Sequence, residues 1–219
     1  MYGGPEVIQI PRNYGKVKFS RIEIKHILIS VTVLTLIFAL FFYPDVEVRA
    51  DMGFVGSFLL TLGVAATAVV LGFLLHELGH KFMAQRYGAW AEFRMFPIGL
   101  LIGVVFSFLG VLLAMPGAVY IQGQITRRQY GQVSLAGPAT NLVIGAVFLI
   151  VWLVVPLGTL LAFCIYLLAL INIFLGGFNL IPLPPFDGEK IARWSIPVYL
   201  ITVISAGVML MVLWGIIKI

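Results

Sequence analysis

Two histidines and a glutamate lie within about one helical turn of each other in an unusually apolar part of this sequence. The segment reads His76-Glu77-Leu78-Gly79-His80, and helical residues four apart share one face, with Cβ atoms about 5 to 6 Å apart. Imidazoles at that spacing suit ligation of one Zn²⁺ from two sides. Glu77 is rotated to the side of such a metal, where its carboxylate can take a proton from an attacking water. The pattern therefore indicates hydrolytic metal chemistry.

The surroundings of this pattern strengthen the metal interpretation. Some twenty largely apolar residues come directly before His76, and ionisable side chains in such a run are unfavourable by a few kcal/mol unless they have partners. Zinc is the partner that we expect. The alternative is a chance match, or a polar cluster with a purely structural role.

Two imidazoles do not complete a zinc site, and the sequence offers few further ligands. The remaining histidine, His26, adjoins a basic N-terminal arm and is expected to be an interfacial residue. Among the carboxylates, only Asp187 and Glu189 lie away from both the first span and the loop after the histidine pair. Asp187 is the best candidate, because prolines before it fix an extended approach and Gly188 permits a tight turn. The alternatives are that Asp187 caps a short helix starting at Glu189, or that Glu189 is the ligand.

The composition is that of a membrane protein. Of the 219 residues, 61% are hydrophobic and 11% are charged, against about a quarter charged in soluble proteins, and the mean hydropathy is +1.08. No stretch has room for a soluble domain. We therefore expect an N-terminal arm over residues 1–25 and one transmembrane domain over 26–219, with the catalytic core at about 54–188. No cleavable signal peptide is expected, since further spans follow the first apolar run.

The apolar runs predict an all-α fold with five to six transmembrane helices. They cover residues 27–43, 54–86, 134–155, 159–180 and 196–217, with an acidic loop at 44–51. The net charge of +5 fits basic residues that face the cytoplasm and not a nucleic-acid partner. We expect a multi-pass protein of the cell membrane, embedded in the lipid bilayer, with its N-terminal arm in the cytoplasm.

The apolar run at residues 97–115 is ambiguous. If it dips into the membrane and returns, Arg127, Arg128, Lys190 and Arg193 are all cytoplasmic, and Asp187 lies at the level of the histidines. We prefer this re-entrant interpretation, because irregular backbone at membrane depth is tolerated beside a water-filled site. A sixth crossing is the alternative. Residues 118–126 have the pattern of a short strand, so we expect a small β-hairpin or strand at membrane depth.

Three motifs in this order resemble the site-2 protease family of intramembrane zinc metalloproteases. They are the HELGH segment at 76–80, AGPATN at 136–141, and NLIPLPPFDG at 179–188, which fits NxxPxPPxDG. The resemblance implies one zinc per chain held by His76, His80 and Asp187, with Glu77 as catalytic base near the cytoplasmic side. It also implies a core of three helices: the HELGH helix, the 134–155 helix and the helix leading to Asp187. The glycine-punctuated insertion at 97–116 departs from the family pattern.

The expected activity is hydrolysis of peptide bonds within or beside transmembrane segments of substrate proteins. Asn141 and Asn179 are candidate donors to the oxyanion, or they form hydrogen bonds between helices. The strand at 118–126 could pair with an unwound substrate, or it merely packs over the site. A catalytically silent zinc-binding membrane adaptor is the alternative function. A metal transporter is disfavoured, because no chain of polar residues crosses the bilayer.

Overall fold

Five helices are long and apolar enough to cross a membrane. The computed structural model describes residues 17–50, 52–112 and 114–216. In this part of the chain, the candidate spans are Arg21–Val46, Gly53–Arg86, Arg127–Val154, Thr159–Asn179 and Ile196–Leu213. About 20 apolar helical residues match a hydrocarbon layer about 30 Å thick. The prediction of an all-α polytopic membrane protein is confirmed.

The first helix is longer than the sequence predicted. Helix α1, Arg21–Ala50, begins within the predicted arm and continues through Pro44. The expected acidic loop is therefore wrong over residues 44–50, and residue 51 lies outside the described residues. Proline is tolerated in such a helix because packing against neighbouring helices compensates for the lost hydrogen bond. Here α1 packs along α2, Gly53–Val69, and Val46 is fully buried.

The helix that carries the histidine pair is continuous but changes its winding. Helix α2 leads through a π-helical turn at Val70–Leu74 into α3, Leu75–Arg86, so the predicted helix over 54–86 is confirmed. The wider turn ends just before His76. Such turns occur often at functional sites.

A two-stranded sheet follows α3. Strand β1, Trp90–Met95, pairs antiparallel with β2, Gly117–Gln122, and the 12-residue helix α4, Pro97–Phe108, lies between them. The N–H of Phe96 donates to the carbonyl of Pro116 at 2.9 Å, so the segment returns to the point where it left. This hairpin agrees with the re-entrant interpretation and not with a sixth crossing. The sequence predicted β2 within 118–126 but missed β1.

Helix α5 forms the centre of the molecule. It spans Arg127–Val154 and starts before the predicted residue 134, because Thr126 and Gln129 form a capping box at its N-terminus. It packs against α3 and against α6, Thr159–Asn179. Helices α7, Asp187–Trp194, and α8, Ile196–Leu213, complete the bundle.

Five alternating crossings bring several helix ends to the same side of the bundle. The starts of α1, α5 and α8 and the ends of α3 and α6 meet there. The Nζ atom of Lys81 near the end of α3 lies 2.7 Å from a carboxylate oxygen of Glu23 at the start of α1. Chemically active residues of α3 and α7 can therefore meet at one level.

Candidate metal centre

The two histidines of α3 lie with their rings against each other. Their Nε2 atoms are 3.0 Å apart, and their ring centroids are 4.7 Å apart. Both side chains are buried, with His76 5% and His80 8% exposed. The spacing on one helical face therefore places the two imidazole nitrogens together, as the sequence indicated.

Asp187 brings a carboxylate to the same point from the other end of the core. Its Oδ2 atom lies 3.1 Å from Nε2 of His80 and 3.6 Å from Nε2 of His76. Helix α7 begins at Asp187 itself, two residues before the start at Glu189 that the capping alternative assumed. A Cβ on the next residue, Gly188, would collide with the carbonyl of Leu180. Glycine is therefore needed where the chain turns Asp187 toward the histidines.

A backbone carbonyl orients the imidazole of His80, and helix α5 packs closely against both rings. Nδ1 of His80 lies 2.8 Å from the carbonyl oxygen of Val133, so a proton on Nδ1 leaves the Nε2 lone pair free for a metal. A Cβ on Gly137 would lie 2.6 Å from Nε2 of His76 and would collide with His80. Glycine at this position lets α5 approach the rings closely. The sequence motif contained Gly137 without showing this role, and no sequence signal indicated Val133.

The three residues fit a zinc ion. Among the described residues, His76, His80 and Asp187 form a buried group whose ligand atoms all lie within 4.8 Å of one another. Two imidazole nitrogens and a carboxylate oxygen are a common protein ligand set for catalytic zinc, which binds them at about 2.0 to 2.2 Å. Ligands at that range around a tetrahedral ion are about 3.3 Å apart, and the separations of 3.0, 3.1 and 3.6 Å bracket this value.

The ionisation of Asp187 suits this role. Its Oδ2 atom faces the Nε2 atoms of both histidines. Lys190 lies 3.3 Å from the other oxygen, Oδ1. Asp187 is therefore held as a carboxylate, the form that binds metals. The alternative ligand Glu189 instead pairs with Arg193 at 2.7 Å.

Glu77 lies beside the three ligands and not among them. Its Oε2 atom accepts a hydrogen bond from the backbone N–H of Val119 on β2 at 3.1 Å. The hairpin thus holds one carboxylate oxygen, and the other has no such backbone donor among the described residues. The sequence did not indicate Val119, because the contact depends on how the hairpin folds back over α3.

The two candidate oxyanion donors have different surroundings. Asn141 is fully buried on α5, one turn beyond Gly137, and neither polar atom of its amide has a partner among the described residues. The Nδ2 atom of Asn179 donates to the carbonyl of Leu175 in its own helix at 2.9 Å. A buried amide without partners is unfavourable by about 1 to 3 kcal/mol. Asn141 therefore has unused capacity for a water or a substrate group, and both roles stay predictions.

Three relatives are similar to this chain over more than half of its length. The provisionally named zinc metalloprotease MJ0611 of Methanocaldococcus jannaschii is 38% identical over 180 residues, which are 81% of this chain and 87% of the relative. Zinc metalloprotease MJ0392 of the same organism is 34% identical over 55% of this chain and 30% of its own length. The provisionally named zinc metalloprotease Rip3 of Mycobacterium tuberculosis is 31% identical over 60% of this chain and 31% of its own length.

The chain thus matches most of the first relative but under a third of the two longer ones. No family model matches the chain, and no solved structure matches it. The relatives' names imply zinc as the metal.

Proposed function

Because this chain belongs to the zinc metalloprotease family of its archaeal relative, we propose that it hydrolyses peptide bonds within or beside transmembrane segments of other membrane proteins. In this proposal it is an intramembrane metalloendopeptidase of the site-2 protease type. Its substrates are membrane-spanning proteins, and it binds one zinc ion per chain.

One observation carries the proposal. The ligand group of His76, His80 and Asp187 is buried in helices of a membrane-spanning bundle, with the carboxyl group of Glu77 beside it. A soluble peptide would have to leave water to reach such a group, whereas a transmembrane helix already lies at that depth. Bound zinc supplies a Lewis acid that polarises the scissile carbonyl and lowers the pKa of water toward neutrality.

The protein's own residues would supply the rest of the chemistry. Glu77 takes a proton from the attacking water through its oxygen that does not bind Val119, and later delivers a proton to the leaving amine. Asn141 donates a hydrogen bond to the oxyanion. Asn179 is the second candidate donor, through the N–H that does not bind Leu175.

The substrate must be extended before it can be attacked, because a helix keeps its carbonyls in internal hydrogen bonds. Strand β2 offers an edge for such a segment. Val119 and Ile121 lie opposite Phe93 and Ala91 of β1. The backbone N–H and C=O groups of Val119 and Ile121 face away from β1. Because the N–H of Val119 donates to Glu77, a substrate strand would pair with the carbonyl of Val119 and the backbone groups of Ile121, and would lie next to Glu77.

The charge distribution supports a cytoplasmic site. Basic residues cluster where the metal centre lies, at the start of α1, the end of α3, the start of α5 and on α7. They are Lys18, Arg21, Lys25, Arg86, Arg127, Arg128, Lys190 and Arg193. The positive-inside rule assigns this side to the cytoplasm. We therefore propose a protein of the cell membrane whose N-terminal arm and metal centre face the cytoplasm.

The test is cleavage by the purified protein. Detergent-solubilised or reconstituted protein is incubated with transmembrane peptides, with and without a zinc chelator, and the products are mapped by mass. We expect cuts inside or next to the apolar segment that disappear with chelator and return with added zinc. Glu77→Gln should keep its zinc and lose cleavage by a factor of at least about 100. Zinc binding without cleavage of any membrane peptide by the unchanged chain would favour the silent adaptor.

A further inference from the structure

A buried ion pair joins the first helix to the helix of the metal centre. Nζ of Lys81 lies 2.8 and 2.7 Å from the two carboxylate oxygens of Glu23. Glu23 is 0% and Lys81 1% exposed. Lys81 follows His80 directly, whereas Glu23 comes from the start of α1. A pair this deep adds little stability compared with apolar residues, but removing one partner is strongly destabilising.

Both members of the pair also bind the backbone of β1. Lys81 donates to the carbonyl of Ala91 at 3.0 Å, and Gln85 donates to the same carbonyl at 3.3 Å. Glu23 accepts from the N–H of Phe93 at 3.0 Å. These backbone groups form the outer edge of β1, so side chains of α1 and α3 occupy the place of a neighbouring strand.

The other edge of the hairpin binds α3 one turn earlier. Phe93 lies opposite Val119, whose N–H donates to Glu77. Glu77 and Lys81 are four residues apart and share one face of α3. The hairpin therefore lies along this face: β2 is bound by Glu77, and β1 is bound by Lys81 both directly and through Glu23.

We propose that Glu23 and Lys81 are positioning residues that set the register of the hairpin on α3 and thereby hold the catalytic base. A shift of β1 by one residue would turn the N–H of Phe93 and the carbonyl of Ala91 away from their partners. Val119 would then move away from Glu77. The ion pair specifies one register, which is the best-attested role of buried charges. This inference rests on the proposed function for the catalytic role of Glu77.

The polarity of the network makes it testable. Exchanging the two residues, Glu23→Lys with Lys81→Glu, keeps an ion pair but points an ammonium at the N–H of Phe93 and a carboxylate at the carbonyl of Ala91. A pair that acts only by charge attraction would survive this exchange. A pair that positions β1 through its hydrogen bonds would not.

The experiment compares Glu23→Gln, Lys81→Met and the exchanged double variant with Glu92→Gln. Glu92 is the control for loss of a carboxylate on the hairpin: it pairs with Arg94 at 2.6 Å and accepts a hydrogen bond from Ser20 at 3.1 Å, and neither partner lies on α3. The amide oxygen of Gln at this position can still accept from Ser20. Zinc content, kcat and KM for a transmembrane peptide, and amide hydrogen exchange at Phe93 and Val119 are measured for each variant. The exchange measurement uses no substrate, so it reports on the hairpin even if the peptide is not cleaved.

We expect zinc content to stay at the level of the unchanged chain, because neither residue contacts the ligands. Lys81→Met and the exchanged variant should lower kcat on the order of 100-fold, as misplacement of a catalytic group does, with KM within about twofold. Exchange at Val119 should quicken at least about tenfold as its hydrogen bond opens more often. Glu23→Gln is the mildest change. Its kcat and its rate of amide hydrogen exchange at Val119 should lie between the values for these two variants and those for the Glu92→Gln control, which should match the unchanged chain.

Two results would overturn the proposal. One is a kcat at the level of the unchanged chain, together with slow amide hydrogen exchange at Val119, in the double variant in which Glu23 and Lys81 are swapped. The other is slow exchange at Val119 in Glu23→Gln together with an unchanged kcat. If Lys81→Met does not fold, the result for Glu23→Gln decides.

Discussion

Gly137 lies against the imidazole of His76, and a Cβ on this glycine would come within 2.6 Å of the Nε2 atom that faces the metal centre. The contact makes α5 one wall of the ligand group, although α5 contributes no ligand. Small size at position 137 is therefore as much a part of the site as the side chains that bind.

Gly137→Ala should weaken zinc binding at least about tenfold, comparable to loss of a group that orients a ligand. Overpacking should also lower the free energy of unfolding by about 1 to 3 kcal/mol. Zinc titration and thermal unfolding in detergent measure both effects. Gly207→Ala is the control, because a Cβ at Gly207 on α8 meets nothing within 4 Å. Undiminished zinc affinity in Gly137→Ala would contradict the close approach of α5.

Asp187→Asn should remove most of the bound zinc, because an amide is a poor replacement for the carboxylate between two imidazoles. We expect a zinc affinity at least about 100-fold lower. That is the upper end of the loss caused by replacing residues that only hydrogen-bond to a metal ligand. Glu189→Gln should keep full zinc content, since Glu189 pairs with Arg193. Metal analysis of the purified variants distinguishes the two. The reverse pattern would identify Glu189 as the ligand.

The Asn141→Leu variant tests whether the amide of Asn141 has a catalytic role or a structural one. The unpartnered amide is unfavourable in the folded state, so an apolar residue of similar shape should leave the free energy of unfolding unchanged or raise it by up to about 3 kcal/mol. Cleavage should nevertheless fall about 100-fold if the amide binds the oxyanion. Unfolding curves and kcat are measured together. A clear loss of stability with normal kcat would instead assign Asn141 to helix packing.

Ile121→Pro tests whether substrate pairs with β2. Proline removes an N–H that faces away from β1, a position where it is tolerated in an edge strand. We expect kcat/KM for a transmembrane peptide to fall at least about tenfold, the loss of about 1.4 kcal/mol of binding in the transition state. Zinc content should be unchanged. Undiminished cleavage would show that the strand only covers the site.

Much of the architecture follows from the sequence, because span length and apolar composition determine it. The HELGH pattern and the turn at Asp187 likewise predict a ligand group that the fold brings together. Strand β1 could not be predicted, since Glu23, Lys81 and Gln85 stabilise its outer edge from distant positions. Nor could the burial of Glu23, which the sequence assigned to a polar arm.

Other differences had local signals. The early start of α5 is explained by Thr126 and Gln129, whose spacing is that of a capping box. The continuation of α1 past Pro44 had no such signal, because it depends on packing against α2. In these two cases, a local sequence signal marks where a helix begins, whereas the end of a helix depends on tertiary packing that the sequence pattern does not show.

The residues of the candidate metal centre come from α3 and from α7, which follows α6 along the chain, so the order of synthesis matters. His76 and His80 enter the membrane early, while the carboxylate of Asp187 arrives only after α5 and α6 have been made. A nascent or truncated chain that lacks α7 carries Glu77 and the two histidines but not the carboxylate that completes the group. The order of these residues along the chain therefore means that the three-residue group is complete only after the core of the bundle has been made.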